Sequence, residues 1–330
     1  MNQYIATIIF ATTVSLGWAQ YSPYIVAVDE YVPAPGQFVN KLPEFEDGDD
    51  AATMAQKCTE AIANDAGGLV TLGAWGGYIT FHFDHPIVNL PDQPDLYIAG
   101  NGFEGNSEPG IVCVSQDRNR NGLPDDDWYE LQGSADVDST NVTYGYSITY
   151  CLTAPLQDIP WNDNQGQEGT VQRNSFHQQE YYPLWLPTSH TYSGTCLPPN
   201  ATDTYGNGAN WTLESLRYGY VDNASNKDTA RCSFDIGWAV EPLTRQKVVL
   251  ASIDFVRVYT AINQQAGWLG ETSTEVSGAC DLHPDAVLSV PVTSPDAIEP
   301  LPKYDLQGRP IKSNQSFQIF INQQQKSIQL

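Results

Sequence analysis

Basic side chains are scarce in this sequence: 15 Lys and Arg stand against 39 Asp and Glu, a formal net charge of −24. A field of that sign repels phosphate backbones and anionic lipid surfaces, so nucleic acid and the membrane surface are excluded as main partners. No apolar run reaches the ~20 residues of a membrane-spanning helix. The six cysteines contain no C-x-x-C pair, which removes zinc ribbons and thioredoxin-like redox chemistry. A G-x-S-x-G elbow, an H-E-x-x-H pair and a phosphate-binding glycine loop are also missing, so no common catalytic motif is present. Methionine occurs only twice, whereas there are 8 Trp and 18 Tyr, a balance typical of β-rich secreted proteins and of proteins that stack on ligands.

Residues 1–20 read as an export signal. Ile5 to Trp18 is apolar or hydroxylated, and Leu16-Gly17-Trp18-Ala19 ends in the small residue that a signal peptidase requires, although the n-region lacks strong positive charge. The first cysteine is Cys58, so no lipid-accepting cysteine follows the signal. The remaining ~310 residues amount to one large domain or two modest ones. With 41% hydrophobic residues overall, they can bury a core. Six cysteines in an exported chain predict up to three structural disulfides, with fifteen possible connectivities.

The hydrophobic pattern predicts an all-β protein, a β-sandwich or jelly roll with one short N-terminal helix and a long aromatic-rich insertion. Ile79, Phe81 and Phe83 alternate with Tyr78, Thr80 and His82, and Cys232, Phe234, Ile236, Trp238 and Val240 make a second single face. Further strands are expected at Leu96–Ala99, Ile111–Ser115, Trp128–Leu131, Tyr144–Tyr150 and Val248–Tyr259, separated by Gly-, Asn-, Asp- and Pro-rich turns. The helix is expected from about Ala51 to Ala63, capped by Asp49 or Asp50, with Met54, Cys58 and Ile62 on one core-facing stripe. Residues 152–230 form the insertion, too long and polar for a plain connection. The domain is therefore placed at 21–285, a proline-rich linker at 286–303 and a small tail module at 304–330.

The sharpest local signal is Asp117-Arg118-Asn119-Arg120-Asn121-Gly122-Leu123-Pro124-Asp125-Asp126-Asp127-Trp128. Side-chain oxygens at loop positions 1, 3 and 5, glycine at 6 and aspartate at 9 follow the order of a calcium loop. Asp117, Asn119, Asn121, Asp125, Asp126 and the Leu123 carbonyl are the candidate ligands, and calcium is the expected cofactor. Position 12 is Trp128, so Asp126 or Asp127 must replace the bidentate glutamate of an EF-hand. The alternative is a solvated Asp/Asn hairpin tip. A second acidic run, Glu44 to Asp50, is explained by the positive end of the following helix.

For organic ligands, Trp161, Tyr181, Tyr182 and Trp185 offer stacking surface within the insertion, with His177 beside them among Asn and Gln side chains. The opposing reading is that each ring packs the insertion onto the sandwich. Trp211 and Trp268 face the same choice. A glycosidase needs only two carboxylates, for which Glu104, Glu108 and Glu168 are candidates, but with 39 acidic residues a chance pair is expected.

Several stretches together resemble cell-surface proteins of Bacteroidetes, some of them named for PKD domains. They are Pro33 to Asn40, Gly73 to Asn89, Glu108-Pro109-Gly110, the 117–128 loop, Trp161 to Gly166 and Ile253 to His283, spread over about residues 24–284. The resemblance implies a galactose-binding-like sandwich, surface or periplasmic placement and no established catalytic residues. Some such proteins are associated with outer-membrane uptake of corrinoids such as cobalamin. Tyr304 to Ile311 resembles the C-terminal export modules of the same group, although the usual glycine-rich ending is Gln-rich here. The absent lipid-accepting cysteine and the six cysteines depart from the pattern. The leading expectation is an exported ligand-binding protein, stabilised by calcium and capturing a carbohydrate or a small molecule such as a corrinoid. A hydrolase with paired carboxylates and an adhesive protein contacting other envelope proteins are the alternatives.

Overall fold

The computed structural model describes residues 21–287, together with strand backbone at 318–321 and 326–329. The signal segment 1–20, nearly all of the linker and most of the tail module lie outside the described residues. The chain separates into two units, 1–287 and 288–330.

In chain order the first unit holds β1 (Ala27–Val32), α1 (Ala51–Ile62), β2 (Val70–Thr71), β3 (Tyr78–Val88), β4 (Leu96–Ala99), β5 (Gly110–Ser115), β6 (Trp128–Leu131) and α2 (Ala135–Asp138). There follow β7 (Thr143–Cys151), β8 (Ile159–Asp163), β9 (Glu168–Val171), β10 (Ser189–Cys196), β11 (Ala201–Asp203) and β12 (Trp211–Leu213). It ends with β13 (Ser233–Phe234), β14 (Ala239–Val240), β15 (Ser252–Thr260), β16 (Glu275–Val276) and β17 (Gly278–Asp281). In the second unit, β18 (Gln318–Ile321) pairs antiparallel with β19 (Lys326–Gln329).

The protein is an all-β sandwich. A six-stranded sheet runs β1-β3-β15-β5-β6-β14, and a three-stranded sheet, β13-β4-β17, shares one core with it. Period-two alternation explains the core: Ile79, Phe81, Val112, Val114, Val256 and Val258 point to one face and meet Leu96, Ile98 and Phe234 of the smaller sheet. Helix α1 closes that core with Met54, Cys58 and Ile62, at most 1% exposed. Asp50 starts the helix by accepting from the Thr53 N–H at 2.8 Å. On the opposite face Arg257 lies between the rings of Tyr78 and Trp128, with its guanidinium carbon 4.5 and 4.2 Å from their centroids.

Two expectations need correction. Residues 232–240 do not form one strand, because Asp235 accepts from the Gly237 N–H and turns 236–238 into a 3₁₀ turn between β13 and β14. The cysteines are not paired either: all six are free thiols, five on separate elements and Cys232 in the turn before β13. Cys151 lies opposite Ser189 whereas Cys196 lies opposite Thr143, at the other end of the β7–β10 register. Cys232 and Cys280 flank β4 on its two sides. Two strand spacings, ~9–10 Å, separate them, and a disulfide tolerates at most ~7 Å between Cα atoms.

The 152–230 insertion is more ordered than its polarity indicates. It completes a four-stranded sheet, β10-β7-β8-β9, and a β11–β12 hairpin. That sheet has its own aromatic core of Trp75, Tyr146, Tyr150, Tyr181, Tyr182 and Tyr192.

Candidate functional site

The 117–128 loop joins β5 to β6, and its side-chain oxygens accept from donors within the loop, a pattern that a hairpin tip and a calcium loop share. Asp117 accepts from the Asn121 and Gly122 N–H groups at 3.1 and 2.9 Å, and Gly122 supplies the left-handed turn at φ +75°. Asp125 accepts both the Asn119 and the Asn121 side-chain amides at 2.9 Å. Asn121 Oδ1 accepts from Leu123 N–H, and Asp126 accepts from Arg118 N–H. Asp254 of β15 meets the loop from below, accepting from Asp117 N–H at 2.9 Å, a neighbour that sequence spacing cannot show. The donor set, all carboxylate, amide and carbonyl oxygen, fits calcium chemistry.

The aromatic candidates are mostly structural. Tyr181 and Tyr182 are buried at 0% and 1% exposure, which corrects their assignment as ligand platforms. The Tyr181 hydroxyl donates to the His177 carbonyl and the Tyr182 hydroxyl to the Pro187 carbonyl, so both polar tips are used internally. Trp185 stacks on Tyr31 and Phe45 at 5.4 and 6.0 Å and packs on the main core. Trp161 is half-buried over Gly169, against the aromatic core of the four-stranded sheet. Of the five candidate ligand residues, His177 lines a cavity beside Gln37 and Glu271, with its ring edge-on to Phe38 at 4.6 Å.

That cavity, about 390 Å³, is the candidate site. Its wall carries His177, Phe176 and Trp268, and its floor carries Glu108, Glu271 and Glu275. Phe176 and Trp268 are 73% and 50% exposed, with ring centroids 6.4 Å apart, so these two rings face solvent where Tyr181 and Trp185 do not.

Chain segments distant in sequence build the floor. Glu108 precedes β5, its backbone N–H donating to the Asp222 carbonyl, while Gly110 pairs with Val221 in both directions. Asp222 takes a left-handed backbone at φ +57°, a conformation that aspartate tolerates better than most residues. Gly100 lets it approach, since a Cβ there would lie 2.5 Å from Asp222 Oδ1. Asp222 then accepts from Asn101 N–H at 2.6 Å and Glu275 N–H at 3.0 Å. Glu275, the first residue of β16, accepts from Thr71 and Ser273 hydroxyls at 3.1 and 3.0 Å. Glu271 accepts from Gln37 N–H at 2.7 Å through Oε1, but its buried Oε2 has no partner. Oxygens of Glu108, Asp222 and Glu275 lie within 4.8 Å of one another, the one such acidic, His or Cys grouping among the described residues.

Packed this closely, the carboxyls are pushed towards their protonated forms. Burial, then the charges of Asp222 and Glu271, pushes Glu108 well above the usual carboxyl range. Burial, then Glu108 and Asp222, does the same to Glu275. Burial also raises Asp222 to about 6 and Glu271 to about 7. Unfolded carboxyls titrate near ~4, so between ~4 and ~7 the folded chain binds more protons than the unfolded one. The contribution of these four carboxyls to stability without divalent cations is therefore expected to be full near pH ~4 and to be lost as pH rises through 6 and 7. Thermal melts in chelator should show a lower melting temperature at pH 7.5 than at 4.5, with a shallower slope for Glu271→Gln. A flat or rising wild-type profile would contradict the arrangement.

Sequence reading singled out Glu108, His177 and Trp268 but missed Asp222, Glu271 and Glu275. The available clue was Glu271-Thr272-Ser273-Thr274-Glu275, a polar run that the fold buries at 5% exposure or less. No family model matches this chain, and no curated protein matches it.

Proposed function

We propose that this chain is an exported ligand-binding protein of the cell surface or periplasm, and that its ligand occupies the cavity between Trp268 and the Glu108–Glu271–Glu275 floor. The observation that carries the reading is a concave site with exposed rings in its wall and one unpaired acceptor oxygen, Glu271 Oε2, among its lining residues. Aromatic faces bind the apolar faces of sugars or of flat macrocycles, and inward carboxylates accept from hydroxyl or cationic groups. A glycan fits this chemistry most directly, and a corrinoid is the second candidate. The absence of a membrane-spanning helix among the described residues agrees with a protein that acts outside the bilayer. Placement in the Bacteroidetes envelope rests on the sequence resemblance and the N-terminal segment. Calcium in the 117–127 loop would brace the β5–β6 turn through Asp117, Asn119, Asn121, Leu123, Asp125 and Asp126.

A thermal-shift screen against glycans, corrinoids and haem tests the reading. A binder should raise the melting temperature. Trp268→Ala should then weaken that binder by on the order of 1 kcal/mol, about fivefold, without changing the melting temperature of the free protein. An affinity indifferent to Trp268 would remove the cavity as the site.

Paired carboxylates in one cavity, Glu108 with Glu271 and Glu275, also favour a hydrolase as second reading, since burial keeps some of them protonated as a general acid must be. Release of reducing sugar from a glycan panel, abolished by Glu108→Gln, would replace the binding role with catalysis.

A further inference from the structure

We infer that the Glu108–Asp222–Glu275 cluster is a second cation site, taking a hard divalent ion such as calcium and separate from the 117–127 loop. Three carboxylates with oxygens inside 4.8 Å match a single central ion, since opposed calcium ligands at 2.3–2.6 Å lie about 4.6–5.2 Å apart. The donors are all oxygen, with no cysteine or histidine among them, which selects calcium or magnesium over zinc or copper.

One further observation in the same cavity favours a cation, and a neighbouring amide could adapt to it. Glu271, 4% exposed and lining the same cavity, has a buried Oε2 with no hydrogen-bond partner. A buried carboxylate oxygen without a donor is costly, and a cation removes that cost. Asn101 brings one end of its amide to 3.2 Å from Asp222 Oδ1 and 3.3 Å from Glu275 Oε2. With nitrogen inward it donates to both carboxylates, and with oxygen inward it adds a neutral ligand. Nitrogen inward satisfies the hydrogen bonds of the empty cluster, and rotation of this one amide would present its oxygen to an ion. Coordination positions left open by the protein would face the cavity, where ligand hydroxyls or carboxylates can fill them. The inference deepens the reading of the cavity as the ligand site, but its test needs no organic ligand.

Full-length protein stripped of metal is titrated calorimetrically with calcium chloride alone, then with magnesium and zinc chlorides. Wild type is compared with a loop variant, Asp117→Ala/Asp125→Ala, and a cavity variant, Glu108→Gln/Glu275→Gln. The loop variant should keep a calcium site that the cavity variant loses or binds at least about tenfold more weakly. Glutamine preserves the shape and relieves like-charge repulsion, so the cavity variant should fold, as circular dichroism will report. If it does not fold, Asn101→Asp decides: an added carboxylate should tighten calcium binding several-fold, and an unchanged or weaker affinity overturns the proposal. Equal calcium affinity and stoichiometry in wild type and the folded cavity variant overturns it too, as does a preference for zinc. A failed calcium titration beside a glycan affinity that depends on Trp268 would reject the cation and keep the binding cavity. The reverse result would keep the cation alone.

Discussion

Arg245→Met is expected to destabilise the sandwich by about 3–5 kcal/mol, the cost of stranding a buried charge. Glu130 on β6 is 2% exposed and has three partners: the Arg245 guanidinium, the Thr195 hydroxyl at 2.9 Å and the Tyr259 hydroxyl at 2.7 Å. The same guanidinium reaches Asp136 at 2.7 Å and lies 4.8 Å from the centre of the Tyr144 ring. The network thus ties β10 and β7 of the four-stranded sheet to β6 and β15 of the six-stranded one. Methionine fills much of the volume but leaves Glu130 desolvated without its counter-charge. Chemical denaturation should show the loss as a lower midpoint with an unchanged slope. Adding Glu130→Gln to the same chain should recover part of it, because a neutral amide is cheaper to bury than an unpaired carboxylate. A single variant within 1 kcal/mol of wild type would mean that the pair is well solvated.

Trp185→Ala is expected to lower the melting temperature by about 6–12 °C and to leave ligand affinity per folded molecule unchanged. Removing a large ring costs about 3–5 kcal/mol, and this one, half-buried, belongs at the lower end. For a unit of this size each kcal/mol corresponds to about 2–4 °C. The ring lies between Tyr31 and Phe45 and has little surface left for a ligand. The contrast with Trp268 is the useful result. One tryptophan should carry stability and the other binding, so paired melting and affinity measurements on both variants separate the two roles. An affinity loss at Trp185 with an unmoved melting temperature would return the insertion to the role of ligand platform.

Local periodicity and turn chemistry determined the elements. Strands β4 and β6 fall at the expected bounds, and α1 begins at its expected aspartate cap, because alternation, helical spacing and capping act within a few residues. The turn at 117–126 was legible for the same reason: its Asp, Asn and Gly order is a local backbone pattern. What the sequence could not show is which polar residues meet. Glu108, Asp222 and Glu275 are separated by more than a hundred and by about fifty residues, and neither periodicity nor motif spacing encodes contacts at that range. The Gly100 approach, the left-handed turn at Asp222 and the pairing of β16 with β2 bring them together. The aromatic residues carry the same lesson. Tyr181 and Trp268 pose the same choice in sequence, a ring that either packs or stacks on a ligand. Only packing decided that one lies in a core with its hydroxyl satisfied while the other stands half-exposed at the mouth of a cavity.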